Sequence, residues 1–146
     1  MANDTMRKFG YPETLIREYE HWVILIRPAQ VTLGSLVLAA KSDATAFGML
    51  PSEAHAELAR ITRDIEASLR NAVGYDRINY LMLMMVDPHV HFHVIPRYQG
   101  TRSAEGIELV DRGWPGPPDL KSAAPMAGPD LSQINQWLSN RWLTLN

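Results

Sequence analysis

HVHFHVIPR, residues 89–97, sets histidine against apolar side chains at strict alternation. A β-strand turns successive side chains to opposite faces, so His89, His91 and His93 share one face and Val90, Phe92 and Val94 the other. The apolar face enters a core. The imidazoles then form a row with neighbours roughly 6.6–7 Å apart by strand rise. Three of the five histidines of the chain fall in this row. Core stability gives no reason to line a strand with imidazole, so the row is read as chemistry.

Near neutral pH an imidazole serves as a nucleophile, a proton donor or a metal ligand. Zinc is one reading, because histidines one residue apart chelate well. A zinc site also wants a third or fourth ligand at recognisable spacing. Asp87 sits beside a proline in a turn, and Glu105 and Glu108 lie where no pattern is evident. The other reading is attack on phosphorus: a neutral ring nitrogen forms a phosphoramidate, while neighbouring rings hold phosphate oxygens and deliver a proton to the leaving group. The residues favour the second reading and leave the first open.

Outward from the row, Val86-Asp87-Pro88 reads as a tight turn, with a strand before it over 78–85 and the histidine strand after it over 89–95. Trp22–Ile26, apolar and β-branched, and Leu36–Ala40 read as two more strands. Gly34 before the second suggests a close backbone approach or an unusual dihedral. Leu58, Ile61, Ile65, Leu69 and Val73 recur at three and four residues and predict a helix over 52–72, with Ser52 as N-cap and Gly74 as stop. Residues 13–20 carry a helical spacing of Leu15, Ile16 and Tyr19. After Arg97 periodicity fades. Residues 113–129 are rich in proline and glycine and predict an irregular arm, before a last amphipathic helix capped by Asp130 with Leu131, Ile134, Trp137 and Leu138 on one face. The class is α+β.

At 146 residues the chain has room for one hydrophobic core, and a hydrophobic share of 46% is enough to build it. The net charge of −2 provides no general basic field for nucleic acid, so an anionic ligand needs a local cluster. There is no cysteine, which excludes disulfides and thiol nucleophiles. No apolar run approaches a membrane span and no leader is evident at Met1–Thr5, so a cytoplasmic protein with no membrane partner is expected.

His89-Val90-His91-Phe92-His93-Val94-Ile95, followed by Pro96-Arg97, resembles the signature of the histidine triad family. The order of elements over about 13–100 is similar to that family's fold: a five-stranded antiparallel meander sheet with one long helix, here with a C-terminal helix added. One domain spanning 1–146 is expected, with 101–146 as its variable part. The resemblance implies a metal-free, cofactor-free enzyme that cleaves a nucleoside monophosphate from dinucleoside polyphosphates or phosphoramidates of purine nucleosides. It implies His91 as the residue that becomes nucleotidylated, His89 and His93 as phosphate-positioning groups, and a homodimer.

Asn79 falls where members place an amide that holds phosphate or ribose, and Arg97 is a candidate counter-ion for a polyphosphate. Phe9, Trp22 and Tyr75 are aromatics that would stack on a base or, more simply, fill the core. Ser35 stands where members often carry a histidine after the glycine. Residues 84–88, MMVDP, lack the hydroxyl that members place before the triad. These departures leave Ser35 as a phosphate ligand without charge and predict slow turnover, improved by Ser35→His. A binding module that has lost turnover is the rival.

Overall fold

The computed structural model describes residues 2–145. Helix α1 (Asp4–Lys8) is followed by β1 (Leu15–Glu18), β2 (Trp22–Ile26), β3 (Ala29–Gln30) and β4 (Leu36–Ala40). Helix α2 (Ser52–Val73) leads to β5 (Arg77–Leu81) and β6 (His91–Arg97). A hairpin of β7 (Thr101–Ala104) and β8 (Ile107–Val110), then β9 (Ala124–Pro125) and α3 (Gly128–Asn140), complete the chain.

Five strands form one sheet in the order β1-β2-β4-β6-β5, every neighbouring pair antiparallel. The first three strands meander. The crossover through α2 then skips one place, so β6 slots between β4 and β5, with neighbours on both sides.

Each face of the sheet has its own core. Ile24, Ile26, Leu36, Leu38 and Val94 pack against Ile61, Ile65 and Leu69 of α2. Ala104, Ile134, Trp137 and Leu138 join that same core, so residues beyond 100 are bound into it. Gly34 fits its expectation: φ is +90°, and a Cβ there would come within 3.0 Å of Val73 Cγ2. The opposite face carries Val23, Leu25, Val37 and Ala39 under Met6 of α1. The Asn3 side chain accepts from Met6 N at 2.9 Å as N-cap of α1, and its amide donates to Ala40 O at 2.9 Å, pinning α1 to the sheet.

Several boundaries differ from the sequence reading. Residues 15–18 are an edge strand on β2 where a helix was expected; the free edge of β2 offers a backbone ladder that a short helical spacing cannot match. The histidine hairpin exists, but β5 ends at Leu81 and the connection runs over 82–90, with Met84 inside it at φ +49°. Strand β6 therefore begins at His91, and His89 lies just outside it. Helix α2 starts with Pro51 as N-cap, without a side-chain cap, and ends as expected at Gly74 in the left-handed region. Helix α3 starts before Asp130, which sits in its first turn and there favours the positive end of the helix.

Candidate active site

Strand β6 turns His91 and His93 to the face under α1. Their rings lie 5.1 Å apart, near edge-on, and both residues are buried, His91 to 2% exposure. His91 Nδ1 lies 2.8 Å from the backbone oxygen of His89. A carbonyl oxygen only accepts, so Nδ1 carries the proton and the Nε2 lone pair is free. His89, half-buried outside the strand, is held by Thr5 of α1. The Thr5 hydroxyl accepts the His89 backbone N–H at 3.2 Å and stands 3.1 Å from its Nδ1. The rings of His91 and His93 thus adjoin, and His89 lies beside them through its backbone oxygen while its own ring is held at Thr5.

Two neighbours complete this place: Phe9, read from the sequence only as a base-stacking or core aromatic, and Arg27, which the sequence reading did not single out. The Phe9 ring lies 5.7 Å from that of His91 and 5.6 Å from that of His93, covering both. Asn3 caps the short helix that brings Phe9 round. Arg27 lies directly after β2. Its Nε donates to His93 Nδ1 at 3.2 Å, which fixes the proton of the neutral His93 ring on Nε2. Burial, then the charge of Arg27 and the neighbouring His91, push the His93 ring down to about 4.

The other candidates lie elsewhere or are already occupied. Ser35 is fully buried, and its hydroxyl accepts from Thr32 N at 3.0 Å and donates to Thr32 O at 2.8 Å. It closes the turn into β4, which corrects its expected role as a phosphate ligand and removes the reason for Ser35→His to gain turnover. Arg97 is also buried. Its Nε and Nη2 meet the Asp111 carboxylate at 2.7 and 3.1 Å, Nη1 meets Asn79 Oδ1 at 2.9 Å and Nη2 the Gly116 oxygen at 2.8 Å. Arg97 therefore anchors the arm at the far end of β6, a correction to its substrate-binding assignment, while Asn79, whose Oδ1 it holds, lines the cleft there. Trp22 is core, its Nε1 donating to Ala54 O at 2.8 Å. Among the described residues no three His, Cys, Asp or Glu side chains converge as metal ligands, and no helix is long and apolar enough to cross a membrane.

No family model and no curated protein matches the chain. Solved structures do. A histidine triad protein from Sinorhizobium meliloti 1021 is 21% identical with a TM-score of 0.73, covering 97% of this chain and 96% of its own. A histidine triad protein from Bradyrhizobium japonicum is 16% identical with a TM-score of 0.71, over 98% of each chain. A zinc-bound histidine triad family protein from Mycobacterium smegmatis is 19% identical with a TM-score of 0.59, over 89% of this chain and 84% of that one. The fold is that of the histidine triad proteins.

Proposed function

We propose that this protein is a histidine triad enzyme, a nucleotide hydrolase or nucleotidyl transferase that works through His91. The observation that carries the reading is the hydrogen bond from His91 Nδ1 to the His89 carbonyl, which leaves Nε2 as a free lone pair in a row of imidazoles. Nε2 attacks the phosphorus next to a nucleoside, a P–N bond forms, and the bond from phosphorus to the leaving group breaks. His93 holds a phosphoryl oxygen through Nε2–H. His89 passes a proton to the leaving group, and its Thr5 contact suits either state of that ring, since the hydroxyl can accept or donate. Water, or another acceptor, then attacks phosphorus, breaks the P–N bond and releases the nucleoside monophosphate. His91 is 2% exposed with the Phe9 ring 5.7 Å from its own, so on this reading the cover over the ring has to move for substrate to enter.

The site as proposed is His91 with His89 and His93, in a single domain of about 1–146 acting on a purine nucleotide. A homodimer fits β5, whose outer edge has no partner strand among the described residues, and the exposed Leu83, Met85 and Val86 of the adjoining loop. A single species near 16.5 kDa in sedimentation at micromolar concentration overturns the dimer.

The test is incubation with a dinucleoside polyphosphate labelled at the α-phosphate, followed by an acid quench. Acid-labile label on the peptide holding His91 is expected, and label on another residue overturns the mechanism. Zinc in the Mycobacterium smegmatis protein supports a second reading, in which the rings bind metal. Activity that vanishes with chelator and returns with zinc decides for it. AMP binding without turnover decides for a binding module.

A further inference from the structure

Two arginines, buried Arg97 and half-buried Arg27, lie on the histidine face, and the fold treats them differently. Arg97 has a carboxylate, an amide and a backbone oxygen around it. Arg27 is half-buried, and among the described residues no carboxylate lies within ion-pair distance of it. Nε donates to His93 Nδ1, and Nη1 donates to the backbone oxygen of Ala29. Those bonds use two of five N–H groups, and the other three have no protein partner among the described residues. Burial pushes the guanidinium below its ordinary value, yet an arginine stays charged in proteins. The neighbouring His93 ring is neutral near pH 7. The result is a fixed positive charge, one ring removed from the nucleophile, with fork-shaped donors and no counter-ion.

We propose that Arg27 is the contact for a second anionic group of the substrate, a phosphoryl group joined through oxygen to the one His91 attacks. The inference rests on the His91 reading and narrows its substrate class. When Nε2 bonds to phosphorus, the P–O bond to the second phosphoryl group breaks and its electron pair stays on the departing oxygen. Negative charge grows there, and a guanidinium with two free N–H groups in one plane matches it. A phosphoramidate releases an amine, which brings no charge for Arg27 to meet. The site is thus built for di- and polyphosphates over phosphoramidates.

Titration calorimetry with AMP and ADP on the wild type and Arg27→Gln tests this without turnover. ADP is expected to bind the wild type at least ~10-fold tighter than AMP, as one charge-assisted contact adds that much. In Arg27→Gln the preference falls below about 3-fold while AMP affinity holds within about 3-fold. Arg27→Lys, which keeps the charge and loses the fork, retains part of the preference and serves if the glutamine variant does not fold. Equal binding of AMP and ADP by the wild type overturns the proposal. So does an equal loss for both ligands in Arg27→Gln, since Arg27 then acts only through His93, and so does a preference unchanged in the variants. Label on His91 with a flat AMP-to-ADP ratio leaves the enzyme reading and removes this one. An ADP preference that Arg27 controls, with no turnover, does the reverse.

Discussion

The two ends of β6 carry similar chemistry on one face and use it in opposite ways. At one end His91 and His93 present ring nitrogens beside Arg27, whose charge no carboxylate among the described residues balances. At the other, Arg97 spends its donors on Asp111, Asn79 and Gly116, beside a cleft of about 380 Å³ framed by Arg77 and Trp114. The cleft is the more visible feature, yet Arg97, which lines it, is saturated. Polar groups that have found all their partners stabilise a fold, while those left with spare capacity are available to a ligand. Arginine next to the signature, Arg97, is structural. Arginine remote from it in sequence, Arg27, reaches the histidines.

The largest effect that separates the two ends is on rate. His91→Ala is expected to lose on the order of 10⁴ in turnover, since no neighbouring group makes the same bond to phosphorus, and to keep AMP binding. His89→Ala loses less, because the nucleophile remains. Comparable losses in the two variants, measured under single-turnover conditions, would point to two ligands of one metal instead.

At the other end the effect falls on stability. Asp111→Ala leaves the Arg97 charge buried without a counter-ion and is expected to cost about 3–5 kcal/mol in urea unfolding. AMP affinity in the folded fraction stays within about 2-fold of the wild type. A variant of undiminished stability with weakened AMP binding would return Arg97 to the substrate site.

The contrast explains what the sequence could reveal. Parity along a strand depends only on spacing, so the shared face of His91 and His93 was legible, as were Trp22–Ile26, Leu36–Ala40 and the long helix with its Gly74 stop. Whether a side chain is already satisfied depends on partners far away in the chain. Ser35 closes a local turn with Thr32, but Arg97 meets Asp111 fourteen residues on and Asn79 eighteen residues back. Arg27 reaches His93 across sixty-six residues, and Phe9 covers the histidines from the N-terminal helix. The strand at 15–18 was hidden for a related reason: its β-bulge blurs the alternation, and pairing with β2 decides it. The hairpin of β7 and β8 turns at Glu105-Gly106, both at positive φ, a two-residue turn whose usual signal is asparagine or aspartate before the glycine.

A smaller effect comes from pH. His93 titrates at about 4 in the folded protein, lowered mainly by burial, then by Arg27 and His91, with Lys8 adding slightly and Asp87 opposing. The unfolded ring titrates near 6.5, so between these values the unfolded chain binds the extra proton and stability falls as pH falls. The loss across the window is on the order of 3 kcal/mol. Carboxylates add their own slope below pH 5, so the readout is the difference between wild type and His93→Gln in urea unfolding at pH 7 and pH 4.5. The variant is expected to lose less stability on acidification. Identical slopes would mean that His93 takes up its proton in the folded state with ease, and that Arg27 does not hold it neutral.

The smallest effect concerns Ser35, where the sequence pointed to a ligand and the structure shows a brace. Ser35→Ala removes the acceptor of the Thr32 N–H in a turn that water does not reach. An unsatisfied buried N–H costs about 1–2 kcal/mol, the stability loss expected in urea unfolding. The neighbouring bonds from Gln30, whose Oε1 accepts from Gly34 N at 2.9 Å and from Ser35 N at 3.2 Å, keep the turn closed and limit the damage. Because the hydroxyl is buried and spent on Thr32 within the turn, AMP affinity and kcat stay within about 2-fold of the wild type. A Ser35→Ala protein of full stability that turns over tenfold slower would mean that the turn opens during catalysis and offers the hydroxyl to phosphate. The histidine end of β6 would then extend to β4, and the division between a saturated end and an available end would no longer hold.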